Sequence, residues 1–208
     1  MRQLLRTDFD ELPEPIRTHI FSVVEEEIEL DDSTVGVTEL LHCLRKSYLR
    51  RKYKCKPLDQ QKWWIYRGNV FHSLWCSLFS QHEVEMVHDL GDYRIVGRAD
   101  IVYDGCVYEL KTVTSLFNIP KEHHVKQVLA YAYMLNLDCA KLIYVSFDGF
   151  TVIDVDVKNA AKVMEELEGK AKILVDALRS NTPPPPSPIF PAECEFCELA
   201  SLCHNHKD

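Results

Sequence analysis

Asp100, Glu109 and Lys111 bring two carboxylates and an ammonium into one short stretch of the chain. Two carboxylates converging at a strand end bind a hard divalent cation, magnesium or manganese, through oxygen. A neighbouring ammonium can orient or help deprotonate a water for in-line attack on phosphorus. Charged alternation on a half-exposed strand more often marks only a solvated sheet face. Here Val107, Leu110 and Val113 flank the charges, and in a central strand an unpaired charge carries a desolvation cost that a metal or a partner must offset. Gly68-x3-His72 precedes this stretch and Gln127-x3-Tyr131 follows it. A single histidine such as His72 is more often a buried, hydrogen-bonded side chain than a ligand.

A second set of chemistry-bearing residues is sulfur-based. The chain has eight cysteines, and its N-terminus has no apolar stretch followed by a small-residue cleavage site. The expected setting is therefore soluble and cytoplasmic, where disulfides are poorly maintained and metal ligation is the better use of thiols. Cys194-x2-Cys197-x5-Cys203 lies in a tail with little apolar content, which a metal would cross-link where a core cannot. Cys43 is the leading fourth ligand, because it would tie the N-terminal helices to the tail and close a long loop; Cys55 is the reserve. By spacing alone, zinc and an iron–sulfur cluster are equal readings, and His204 or His206 could replace a thiolate. Cys76, Cys106 and Cys139 sit in apolar segments and read as small buried residues.

The net charge of −8 argues against coating nucleic acid by bulk electrostatics, so any such contact must be local. Residues 45–56 offer one candidate, with Arg45, Lys46, Arg50, Arg51, Lys52, Lys54 and Lys56 interleaved with Tyr48 and Tyr53. Cations there would hold phosphates while aromatics stack on bases. The alternative is the solvated face of an amphipathic helix. No Gly-x4-Gly-Lys-Ser/Thr loop occurs, which weighs against a nucleotide-driven motor, and no run of 18 apolar residues suggests a membrane span.

The elements that must position these residues follow from periodicity. Helical spacing covers 15–30, a second helix begins near Thr38 and carries Cys43 and the basic stretch, and a third over about 60–82 carries His72 on a broad, mostly buried apolar face. Strand signals then occupy 93–96 and 99–103, Asp104-Gly105 makes a two-residue hairpin turn, and 107–113 returns. Period two puts Glu109 and Lys111 on one face, with Asp100 across the hairpin. Residues 121–137 are helical, 141–148 and 150–157 form two strands around Asp148-Gly149, and 158–180 is a long amphipathic helix. Pro183 to Pro186 and Pro188 make an extended spacer to the cysteine tail.

In this order, Gly68-x3-His72, Gly97-x2-Asp100, Glu109-x-Lys111 and Gln127-x3-Tyr131 resemble the RecB-type branch of the restriction-endonuclease-like nucleases. The resemblance implies an α/β fold, a mixed sheet flanked by helices, in one domain over 1–208 with its nuclease core over about 60–180. It implies that His72, Asp100 and Glu109, with the Leu110 carbonyl, hold the metal, that Lys111 is the catalytic lysine, and that Gln127 and Tyr131 support the site or contact DNA. Arg45, Arg50 and Arg51 would be further DNA contacts.

One N-terminal and three C-terminal cysteines around these motifs also resemble the CRISPR-associated exonucleases of that branch. This implies an iron–sulfur cluster, 4Fe-4S before 2Fe-2S, on Cys43, Cys194, Cys197 and Cys203, in a small helical subdomain from about 33–58 and 188–206. It further implies trimming of single-stranded DNA, from the 5′ side, during CRISPR adaptation, with CRISPR integrase proteins as partners. The chain reads Cys43-Leu44-Arg45 where that family often has Cys-Pro-Arg. Two other readings stand beside it: a RecB-type nuclease of repair or replication, and a catalytically silent DNA-binding scaffold, against which intact Asp100, Glu109 and Lys111 speak.

Overall fold

The computed structural model describes residues 9–24, 30–54, 57, 59–189 and 193–205. Cys55, Lys56 and His206, and the side chain of His204, named above as candidates, lie outside the described residues. In chain order the elements are α1 (Glu14–Val24), β1 (Thr34–Gly36), α2 (Val37–Leu40), α3 (Leu44–Tyr53), α4 (Asp59–Cys76), β2 (His82–Asp89), β3 (Arg94–Tyr103), β4 (Cys106–Thr112), α5 (Glu122–Leu135), β5 (Ala140–Ser146), β6 (Gly149–Val155), α6 (Ala160–Ser180) and α7 (Ala200–Asn205). Short 3-10 turns lie at Phe9–Glu11, Val157–Asn159 and Glu193–Phe196.

The strands form one mixed sheet in the order β1-β3-β4-β5-β6, with β2 also on β3. A strand has two edges, and β2 takes one of them along most of β3. The parallel β1, at Arg94 to Val96, and the antiparallel β4, at Ile101 to Tyr103, must therefore share the other. Residues 97–100 are left without a strand partner on that shared edge among the described residues. The backbone of the Gly97-to-Asp100 motif thus lies in a gap of the ladder, and β4 runs on parallel to β5 through Thr112.

The hairpin between β3 and β4 turns on Asp104 and Gly105, both at positive φ (50° and 72°), as a two-residue turn of the primed type needs. The expected strands at 93–96 and 99–103 are one continuous strand, and β1 and β2 had no separate signal. Helix α6 buries Val163, Met164, Leu167, Ala171, Leu174, Val175 and Leu178, a 3.6-period stripe, in the core shared with α5 and the sheet.

Three expectations are corrected. The helix foreseen from Thr38 is broken into α2 and α3: Glu39 folds back to accept the Gly36 N–H at 2.7 Å and also takes Arg51, so the chain turns at 41–43 and Cys43 caps α3 instead of lying inside a helix. The helix foreseen to 82 ends at Cys76, and its apolar face is not buried: Trp64, Val70 and Leu74 are exposed, as is Leu78 beyond the helix at 77%. Cys106 and Cys139 form a disulfide, where they were expected as separate thiols. Each precedes one of the paired residues Val107 and Ala140 on parallel strands, so the register itself sets them side by side. The proline segment is non-helical, as expected of a spacer, and is anchored as well: the Pro184 carbonyl accepts from Arg45 and the Ser187 hydroxyl from the Leu44 N–H. Among the described residues no helix is long and apolar enough to cross a membrane.

Candidate active site and cysteine pocket

Asp100 stands in the gap of the β3 edge, and its Oδ2 accepts the Leu110 N–H at 2.6 Å. Its other oxygen lies 3.2 Å from Nδ1 of His72, which α4 carries in from outside the sheet. Burial pulls the His72 imidazole down, but the hydrogen bond and charge of Asp100, with the charge of Glu109, more than offset this and leave it above its ordinary value.

Glu109 is 2% exposed. Its Oε1 accepts from Lys111 Nζ at 2.7 Å and from Gln127 Nε2 at 2.7 Å. Lys111 also donates to Gln127 Oε1 at 2.8 Å, and Gln127 Nε2 reaches the Tyr131 hydroxyl at 3.0 Å. The i, i+4 spacing on α5 is what puts Gln127 and Tyr131 on one face against the strand. Both are buried, so they brace the carboxylate and the ammonium and do not face outward. Burial first, and the nearby Asp100, push the Glu109 carboxyl well above the usual carboxylate range despite the opposing Lys111. Its second oxygen, Oε2, is buried with no hydrogen-bond partner.

The structure therefore gathers His72 and Asp100 in one hydrogen-bonded set and Glu109, Lys111, Gln127 and Tyr131 in another, the two meeting at the Glu109-Leu110 backbone. Leu110 has its side chain in the core and contributes its N–H to Asp100.

The basic stretch has partners within the fold. Arg45 is 5% exposed and donates to the Pro184 carbonyl at 2.7 Å. Arg50 pairs with Glu198. Arg51 donates to Glu39 at 2.7 Å and to the carbonyls of Asp31 and Thr34. These three guanidiniums join parts of the fold, and the reason is the acids that sequence reading missed. Glu198 also takes Lys46 at 3.2 Å and Gln61 at 3.1 Å. Burial opposes its charge, but its own backbone N–H, Arg50, Gln61 and Lys46 hold it at about 2.

Cys43, Cys194, Cys197 and Cys203 line one small cavity, with Lys46, Leu49, Pro186, Glu193, Leu199 and Ala200. After desolvation, Cys43 and Cys203 raise the thiol of Cys194, and burial and Cys43 are among the causes that raise Cys197. Cys76 is buried, as expected. A group that sequence reading did not single out is the histidine trio His42, His123 and His124. Burial, then the surrounding lysines and one another, hold His42 at about 4 and His124 at about 2.

Residues 75–204, more than half of the chain, match the PD-(D/E)XK nuclease superfamily. The chain belongs to that superfamily. It is 23% identical over 211 aligned residues, 92% of this chain and 95% of the other, to the CRISPR-associated exonuclease Cas4 of Saccharolobus solfataricus (strain ATCC 35092 / DSM 1617 / JCM 11322 / P2). The crystal structure of SSO0001 superposes with a TM-score of 0.72 at 22% identity, covering 93% of this chain and 98% of that one. A putative exonuclease from Eubacterium rectale gives 0.53 at 9% identity, over 88% and 95%. Both likenesses are of fold.

PD-(D/E)XK nucleases use divalent metal ions, and the donor set here fits one: Oε2 of Glu109 is an oxygen taken out of water with nothing to bond, beside Asp100 and His72. Among the described residues no three His, Cys, Asp or Glu side chains already stand as a finished metal-binding set. As they stand, the carboxylates are turned toward Lys111, Gln127, Leu110 and His72.

Proposed function

We propose that this PD-(D/E)XK nuclease is a magnesium- or manganese-dependent DNA exonuclease acting on single-stranded ends, 5′ to 3′, in the processing of spacer precursors for CRISPR adaptation, alongside CRISPR integrase proteins. The observation that carries the nuclease chemistry is the partnerless buried Oε2 of Glu109 within hydrogen-bonding range of no donor, in a network that already holds Lys111. His72, Asp100, Glu109 and the Leu110 carbonyl would hold the ion. When bound, a divalent ion lowers the pKa of a coordinated water and neutralises charge on the phosphate.

The chain's own residues divide the remaining work. Lys111, fixed by Glu109 and Gln127, presents an ammonium beside the carboxylates, where it orients the attacking water and stabilises charge on phosphorus oxygens. Gln127 uses its amide N–H on Glu109 and its carbonyl on Lys111, so one side chain sets the geometry of both. His72 keeps Asp100 aimed into the ladder gap.

The cavity shared by the four cysteines supports an iron–sulfur cluster on Cys43, Cys194, Cys197 and Cys203. Its lining is almost wholly apolar apart from sulfur, Lys46 and Glu193, a donor set of thiolates suited to iron–sulfur. The resemblance to the Cas4 exonuclease over nearly all of both chains supports the CRISPR setting.

The test is cleavage of one single-stranded oligonucleotide, labelled in turn at its 5′ and 3′ ends, with manganese, alongside its duplex. The reading expects early release of the 5′ label as short products, progressive shortening of the 3′-labelled strand and slow attack on the duplex. Internal cuts at equal rates in both strands would overturn the exonuclease assignment, and recovery of repair helicases without integrase in a pull-down would overturn the adaptation assignment.

A further inference from the structure

His42, in the link between α2 and α3, and His123 and His124, in the first turn of α5, place three imidazoles beside the carboxylate site. The rings of His42 and His123 are 6.1 Å apart and those of His123 and His124 are 4.2 Å apart, centre to centre. All three are half-buried. His124 is held in place, since its Nδ1 lies 2.9 Å from the Tyr144 hydroxyl, which also accepts the Lys121 N–H at 3.1 Å.

Cationic groups stand on several sides of them, Lys46 and Arg50 also pairing with Glu198 and Lys111 with Glu109. The Lys111 ammonium acts on all three rings, Lys121 acts on His123 and His124, and Lys46 and Arg50 act on His42. The acid that acts on the trio is Glu122, by way of His123, and its carboxylate is engaged by Lys126 at 3.2 Å. Ring N–H donors ringed by cations, with the nearby acid already paired, favour an anion. A transition-metal ion could also use imidazoles, but the acids nearest the trio, Glu109 and Glu122, are already engaged by Lys111 and Lys126. The position adds a direction. Lys111 belongs to the carboxylate site, while Lys46 lines the cysteine cavity that begins at Cys43, the residue after His42.

We propose that His42, His123 and His124, with Lys121, form a phosphate-binding subsite that holds a second phosphate of the nucleic-acid strand while the scissile one lies at Asp100, Glu109 and Lys111. This deepens the nuclease reading above and rests on its nucleic-acid substrate. The trio binds and positions; it does not touch the reacting phosphorus.

The variant to use is His42→Gln with His123→Gln, leaving His124 on Tyr144. Two measurements decide. In the first, the wild type and the variant are compared on a short single-stranded oligonucleotide and on bis(p-nitrophenyl) phosphate, a diester with one phosphate. The subsite predicts a KM for the oligonucleotide raised about 10-fold, with kcat within about 3-fold, and an unchanged rate on the small diester. In the second, inorganic phosphate is titrated into the intact wild type while imidazole resonances are followed by NMR, and the signals of His42, His123 and His124 should shift together. An unchanged oligonucleotide KM, or equal losses on both substrates, overturns the proposal. So does a wild type whose histidine signals ignore phosphate, or respond to zinc alone. If the wild type cleaves neither substrate, the nucleic-acid reading fails, and the phosphate titration still decides the subsite by itself.

Discussion

The ring of Tyr131 occupies the space where a side chain at position 97 would begin: a Cβ built on Gly97 would stand 2.7 Å from Tyr131 Cε1. Two motifs that lie more than thirty residues apart are thereby one contact. The ring packs over Gly97 on β3, and its hydroxyl, through Gln127, reaches Glu109. Gly97→Ala must push the ring or the strand aside, at a cost of about 1–3 kcal/mol of the kind seen for overpacking. We expect a melting temperature lowered by several degrees and cleavage reduced more than the fold is. A variant with unchanged melting and activity would show that the ring can move freely.

Lys111→Ala should reduce kcat by about 100-fold or more while DNA binding changes little, because the ammonium acts beside the reacting atoms. Gln127→Ala should fall between wild type and Lys111→Ala, since Lys111 keeps Glu109 but loses its second anchor. Steady-state kinetics on a fixed oligonucleotide check the ordering. A Gln127 variant as impaired as Lys111→Ala would mean that the amide does more than brace.

His124 makes one contribution to the pH dependence, and its sign is definite. Its folded value, about 2, is below the ordinary 6.5, so below pH 6.5 the unfolded chain takes up a proton that the fold refuses. Stability from this group is fully present above about pH 6.5 and falls as pH drops, by at most about 1.4 kcal/mol per pH unit. Melting temperatures from pH 7.5 to 5 should fall less steeply for His124→Gln than for wild type. Parallel slopes would contradict the buried neutral imidazole.

Chelation of iron from anaerobically purified protein, or Cys197→Ser, should abolish any cluster absorption and loosen the tail from α3, read as faster proteolysis within 193–205. Glu198→Gln should loosen the tail with the absorption retained, because Glu198 ties Arg50, Lys46 and Gln61 to it without using sulfur. Loss of colour in Glu198→Gln would mean that the ion pairs are needed to close the cavity.

Much of this architecture is legible in the residues. Asp104-Gly105 fixes a two-residue hairpin, alternation aims Glu109 and Lys111 one way, and the stripe on 160–180 announces its helix. What is not legible depends on distant partners. Arg45, Arg50 and Arg51 read as a DNA-facing patch because Glu39, Glu198 and the Pro184 carbonyl, which occupy them, are brought in by the tertiary fold. The Cys106–Cys139 disulfide follows from a parallel register that periodicity cannot set. The three residues of β1 are too few to carry a period, yet their pairing opens the gap in which Asp100 sits. The apolar face of α4 gives the helix its period but not its cover, so Leu74 and Leu78 were expected inside and lie outside at 62% and 77%. The histidine trio joins two segments about eighty residues apart and has no spacing to betray it.

On the proposed function, Asp100 and Glu109 form a metal-dependent hydrolytic site. The most direct test is manganese-dependent cleavage of end-labelled single-stranded DNA by the wild type and by Asp100→Ala, with folding of both checked by circular dichroism. The expected result is cleavage by the wild type, none without the ion, and loss of activity in a folded Asp100→Ala. Unchanged cleavage by that variant, or cleavage by the wild type in the presence of a chelator, would contradict it.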